Sequence, residues 1–130
     1  MQLDRLFLGL WASLMFVLNA ARGETASRDP FAERLFPPDL ILHNGEAIGL
    51  SDQQRQEVLS RVEKAQARFQ ELEQALHKEQ DAMAALLDQE KPEEGAVLKQ
   101  LDTLIVRERD IEREQFGLML SLRNLLTAEQ

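Results

Sequence analysis

The residues of this chain best suited to chemistry are its two histidines. His77 has Glu73 four residues before it and Asp81 four residues after, so on a helix all three share one face. Metal ligands do occur at this i,i+4 spacing. His43 with Glu46, one turn apart, forms a second candidate pair. The opposing reading is a solvated acidic face with a lone histidine. It is the commoner arrangement, and neither histidine belongs to a His-x3-His pair. A divalent metal therefore stands as the less favoured expectation, and no other cofactor is expected.

Catalysis has little to work with. There is no cysteine nucleophile, no glycine-rich phosphate loop and no serine with a histidine placed to activate it. The carboxylates follow the outer faces of helices, so the chain is expected not to be an enzyme. Binding chemistry is better represented. Arg107, Arg109 and Arg113 stand among Glu108, Asp110, Glu112 and Glu114. They are either a charged rim that steers binding partners or an ordinary solvated helix face, and the second reading is favoured. Phe116, Met119, Leu120 and Leu126 fall off the main apolar stripe of their helix. They are either surface for an unfolded chain or contacts to the first helix or a second subunit, with burial ahead.

These side chains need elements to hold them. Hydrophobic residues make up 44% of the chain and charged residues 29%, an ordinary globular balance dominated by helix formers. Pro37-Pro38-Asp39 opens a short helix with Leu40, Ile41, Leu42 and Ile48 on its apolar side, ended by Gly49. Ser51 and Gln54 then have the spacing of a capping box, with Asp52 in the first turn. The long helix that follows repeats Val58, Val62, Ala65, Phe69, Leu72, Leu76, Met83 and Leu86, broken where Glu79 takes an apolar place. Glu90-Lys91-Pro92-Glu93 interrupts, with Pro92 fitting the first turn of the next helix. That helix repeats Val97, Leu101, Leu104, Ile111, Leu118, Leu122 and Leu125, with Gly117 weakening it slightly.

The fold expected is all-α: a long antiparallel hairpin after a short first helix. Counting outward from the loop pairs Leu86 with Val97, Met83 with Leu101, Leu72 with Ile111 and Val58 with Leu125. A lone two-helix hairpin is poorly buried, so the first helix or a second subunit must cover what remains, and a homodimer is expected.

The N-terminus has the layout of an export signal. Arg5 precedes an apolar run of about 13 residues from Leu6 to Leu18, shorter than the roughly 20 a membrane span needs. Ala21-Arg22-Gly23 then places small residues three apart, so cleavage is expected after Gly23. A retained N-terminal anchor is the alternative. The expected organisation is residues 1–23 as signal peptide, 24–36 as flexible leader and 37–130 as the helical domain. Removing residues 1–23 takes away Asp4, Arg5 and Arg22, a net charge of +1, so the −8 of the full chain becomes −9. That charge disfavours nucleic acid and anionic membrane surfaces.

Leu50-Ser51-Asp52-Gln53-Gln54 and Leu126-Thr127-Ala128-Glu129-Gln130 share one plan: Leu, a hydroxyl residue, two variable places, then Gln. Each is a helix start, one at either end of the hairpin. Together they resemble the paired LTxxQ motif of the Spy/CpxP family of periplasmic stress proteins and chaperones, a group that includes periplasmic heavy-metal sensors. The resemblance spans Pro37 to Gln130. Ser51 replaces the usual threonine, which a cap tolerates. The sequence stops at Gln130, so the helix that follows the second motif in the family is expected to be missing, together with any surface built from it. The resemblance implies a slender curved helical dimer in the periplasm that holds unfolded or misfolded envelope proteins without ATP. Phe116, Met119, Leu120, Leu126, Arg107, Arg109 and Arg113 are the candidate client contacts, and Ser51, Gln54, Thr127 and Gln130 the structural caps. The competing expectation is a sensory adaptor that binds a heavy-metal ion, through His43, Glu46, Glu73, His77 or Asp81, or a membrane-bound regulator.

Overall fold

The computed structural model describes Phe31 and residues 33–130. The stretch expected to be a signal peptide, residues 1–23, and most of the expected leader lie outside the described residues. The account below concerns the compact unit Glu33–Gln130. Among the described residues there are three helices and no strand: α1 (Pro38–His43), α2 (Asp52–Leu87) and α3 (Glu94–Arg123). None is long and apolar enough to cross a membrane. The two long helices pack against each other as a hairpin, and α1 packs against α2.

α1 is shorter than its apolar pattern suggested. Proline stands in its first turn, but the helix ends at His43, with Asn44 as C-cap, and Ile48 sits in the turns that follow. Both the backbone N–H and the side-chain amide of Asn44 donate to Leu40 O, at 3.2 and 2.8 Å. Asn44 thus satisfies carbonyls that another helical turn would have used. The chain then turns back at Gly49, whose φ of +65° is a left-handed conformation costly for any residue with a Cβ.

α2 begins where the sequence places it. Ser51 Oγ accepts from Gln54 N at 3.1 Å while Gln54 Oε1 accepts from Ser51 N at 3.0 Å, a complete capping box. α3 begins two residues beyond Pro92. Its N-cap is Glu93, whose carboxylate accepts from Gly95 N and Ala96 N at 3.0 and 2.6 Å. A carboxylate there meets both the orphan amides and the positive end of the helix dipole, so proline is left outside the helix.

The core is confined to one half of the hairpin. The buried apolar residues are Leu35, Ile41, Val58, Val62, Ala65, Phe69, Leu72, Ile111, Leu118 and Leu122. Leu35 falls within the stretch expected to be flexible leader, and it is 6% exposed. Between residues 73 and 110 nothing is buried. The physical reason is the number of layers. Near the open end α1 packs against α2 and shares an apolar groove with Phe36 and Leu126, whereas toward the loop, among the described residues, the two long helices have only each other. Leu101, placed by its spacing on the seam, is accordingly 43% exposed. Polar side chains fill gaps in the seam. Glu79, the interruption in the α2 stripe, accepts from Gln100 Nε2 through both its carboxylate and its carbonyl oxygen, each at 2.9 Å. Arg61 pairs with Glu57 at 2.8 Å and donates across the hairpin to Ser121 O at 2.8 Å.

Candidate functional site

The two pentapeptides that open and close the hairpin in sequence meet at its open end in space. The second repeats the cap of the first: Thr127 Oγ1 accepts from Gln130 N at 3.3 Å, and Gln130 Oε1 accepts from Thr127 N at 2.9 Å. The two glutamine amides then face each other. Gln54 Nε2 donates to Gln130 Oε1 at 2.9 Å, and Gln130 Nε2 donates to Gln54 Oε1 at 3.0 Å. Each amide also donates to a backbone carbonyl beyond its own motif, Gln54 to Leu125 O at 3.1 Å and Gln130 to Gly49 O at 3.2 Å. This clasp ties the start of α2, the end of α3 and the turn at Gly49 in one hydrogen-bonded unit. The sequence showed two caps but not their pairing, because neither motif carries information about which element faces it. Nearby, Gly45 is buried, and a Cβ there would stand 2.6 Å from Arg55 Nη2, so the arginine lies where only glycine leaves room.

The clasp holds α3 with its seam residues inward and a second face outward. That outward face presents Leu98, Leu101, Ile105, Phe116 and Leu120, each between 41% and 52% exposed. Arg109, Glu112 and Arg113 stand between the two apolar groups and are exposed. Arg109, Glu112, Arg113, Phe116 and Gly117 line an open groove of about 520 Å3. Arg109 has Asp110 at 3.6 Å, a loose exposed pair of little strength.

The residues proposed from sequence as client contacts divide among three places. Arg109, Arg113, Phe116 and Leu120 share the outward face, with Met119 half-buried at its edge. Arg107 does not join them. It is half-buried, and its Nε is sequestered without a hydrogen-bond partner. Leu126 lies at the open end, where it lines a separate apolar groove of about 240 Å3 with Phe36, Leu40, Ile41 and Ile48. Missed by the sequence reading were Leu98 and Ile105. Their spacing from Leu101 was a usable signal, since it marks a stripe about 140° round the helix from the seam.

The metal-ligand candidates are not brought together. His43 and Glu46 are exposed at the end of α1 and in the turn beyond it. Glu73, His77 and Asp81 run along α2, and eight residues of helix place the outer two about 12 Å apart. Among the described residues no group of three His, Cys, Asp or Glu side chains is arranged to hold a metal ion.

A family model described as heavy-metal resistance covers residues 6–130, nearly the whole chain. That family belongs to the Spy/CpxP-like group of periplasmic helical proteins and is typically periplasmic. No curated protein and no solved structure matches the chain.

Proposed function

The chain belongs to the heavy-metal resistance family, and from that premise we propose that it is a periplasmic envelope-stress protein that holds unfolded proteins without ATP. The observation that carries this reading is the outward face of α3. Large apolar side chains there are half in water, on a helix whose own partner lies on the other side. Scattered exposed leucines are ordinary, but two apolar groups on one helix face with charged side chains between them make a binding surface. Weak apolar contacts suit clients of many sequences, and the arginines and carboxylates keep such contacts from locking one shape. The reading assigns no catalytic step and no resident cofactor.

The test is suppression of aggregation. The exported protein should keep a chemically unfolded client in solution at near-stoichiometric ratio, and the Phe116→Glu/Leu120→Glu variant should lose most of that effect. A wild-type protein that leaves aggregation unchanged removes the chaperone reading.

The family's description favours a second reading, a sensory adaptor that responds to a heavy metal or contacts a membrane-bound regulator. Calorimetry with zinc, copper, nickel and cobalt decides its metal form. Binding tighter than about 10 µM, a free energy near −7 kcal/mol, and lost in His77→Ala would support it. The spread of Glu73, His77 and Asp81 along α2 argues against that outcome for a single chain.

A further inference from the structure

α1 is too short to hold itself. Its six residues fall well below the length that is stable as an isolated helix, so it rests on its packing and its caps. The C-cap is Asn44, whose side-chain amide donates to Leu40 O at 2.8 Å. The residue after it is glycine, and Arg55 occupies the space beside it: a Cβ there would stand 2.6 Å from Arg55 Nη2. The cap asks for an amide and the packing for a glycine. Together they write Asn-Gly, the dipeptide most prone to deamidate, since no side chain shields the glycine nitrogen. We propose that Asn44 is a modification site, converted to aspartate and isoaspartate by its own neighbour, and that the conversion unlatches α1 permanently.

In the first step Gly45 N loses its proton to solvent and bonds to Asn44 Cγ. The Cγ–Nδ2 bond breaks, and Nδ2 takes a proton back and leaves as ammonia. Water then opens the cyclic imide. Attack at Cγ gives aspartate, and attack at the Asn44 backbone carbon gives isoaspartate, whose main chain runs through the side chain. A water is consumed for each ammonia released, and nothing is oxidised or reduced. The closed state of α1 forbids the first bond. Ring closure needs Gly45 N and Asn44 Cβ on the same side of the Cα–C bond, whereas a ψ of 12° at Asn44 turns the nitrogen away. Gly45 is also buried, with its N–H donating to Leu42 O at 3.4 Å. The reaction therefore belongs to the moments when the end of α1 lifts.

The products cannot close the latch again. A carboxylate has no proton to donate to Leu40 O, and its charge is set against that carbonyl and the negative end of the helix. Isoaspartate also lengthens the main chain between two bonds that fix the turn, Asn44 N to Leu40 O at 3.2 Å and Leu50 N to Gly45 O at 2.8 Å. Ile41 is 3% exposed, and lifting α1 bares it together with the groove it shares with Ile48 and Leu126. The change of one amide to an acid thus adds apolar surface at the open end, irreversibly and without an enzyme.

The test incubates the full chain at mildly alkaline pH in heavy-oxygen water and maps its peptides by mass spectrometry. Asn44 should become a mixture of aspartate and isoaspartate, each carrying heavy oxygen from the solvent. Asn124 is the internal control. It is likewise a helix C-cap, at the end of α3, but Leu125 follows it, so it should stay an amide over the same period. Conversion at Asn44 should run about 10-fold or more slower than in the urea-unfolded chain, a ratio that reports how seldom α1 lifts. Gly45→Ala should lose the modification while dichroism shows its helices retained. Asn44→Asp, which imitates one product, should speed hydrogen exchange of the α1 amides about 10-fold and leave the α2–α3 seam unchanged. An Asn44 that stays an amide as long as Asn124 does overturns the proposal. So do conversion as fast in the folded chain as in the unfolded one, conversion without isoaspartate, a Gly45→Ala variant that converts like the wild type, or an Asn44→Asp variant whose α1 exchanges at the wild-type rate. None of these readouts involves a client, so their failure leaves the chaperone reading intact.

Discussion

Replacing Gln54 and Gln130 by alanine, singly and together, measures the clasp directly. The two reciprocal amide bonds are 2.9 and 3.0 Å long and part-buried. A net hydrogen bond is worth about 0.5–1.5 kcal/mol, so the pair should contribute about 1–3 kcal/mol of coupling. Gln54→Ala alone also removes the bond to Leu125 O and the half of the capping box that returns to Ser51 N. Its total cost should therefore be about 2–3 kcal/mol. For a unit of this size that corresponds to a fall in Tm of about 8–20 °C. Gln130→Ala should cost a similar amount, since it loses the bonds to Gly49 O and Thr127 N. The assay is urea unfolding followed by dichroism at 222 nm on the four proteins of the cycle. Because each single change already breaks both reciprocal bonds, the double variant should be more stable than the sum of the singles implies, by at least about 1 kcal/mol. Strictly additive costs, within about 0.3 kcal/mol, would mean that the two motifs cap their own segments independently and that the clasp contributes nothing.

Three other perturbations separate packing from backbone effects. Leu122 is fully buried, and Leu122→Ala should cost about 2–5 kcal/mol in the same urea titration, with a cost below about 1 kcal/mol contradicting the seam described above. A Cβ at Gly117 meets nothing within 4 Å, so Gly117→Ala should raise stability by about 0.5–1 kcal/mol through helix propensity alone. A loss of stability there would point to a close approach at that position. Gly49→Ala should lower Tm, since its φ of +65° costs a residue with a Cβ about 1–2 kcal/mol even with open space around it.

The sequence by itself determined the helices and the hairpin they form. Spacing at 3.6-residue period marked both long helices, Ser51 and Gln54 marked where α2 starts, and Pro92 marked the break between them. Leu72 and Ile111, both on the apolar stripes, are buried. Local chemistry suffices for these features because caps, breakers and apolar stripes act over one or two turns. What depends on a third layer was decided only by the tertiary structure. Leu35 became core, buried just before α1, while Leu101 stayed in water because nothing among the described residues covers the loop half. Arg107 and Arg109 look alike in sequence, yet two residues of helix rotate one toward the seam and leave the other at the surface. The meeting of Gln54 with Gln130 belongs to the same class. Each glutamine was predictable as a cap, but an amide has four hydrogen-bonding places, and only folding the hairpin closed supplied the groups that fill the rest.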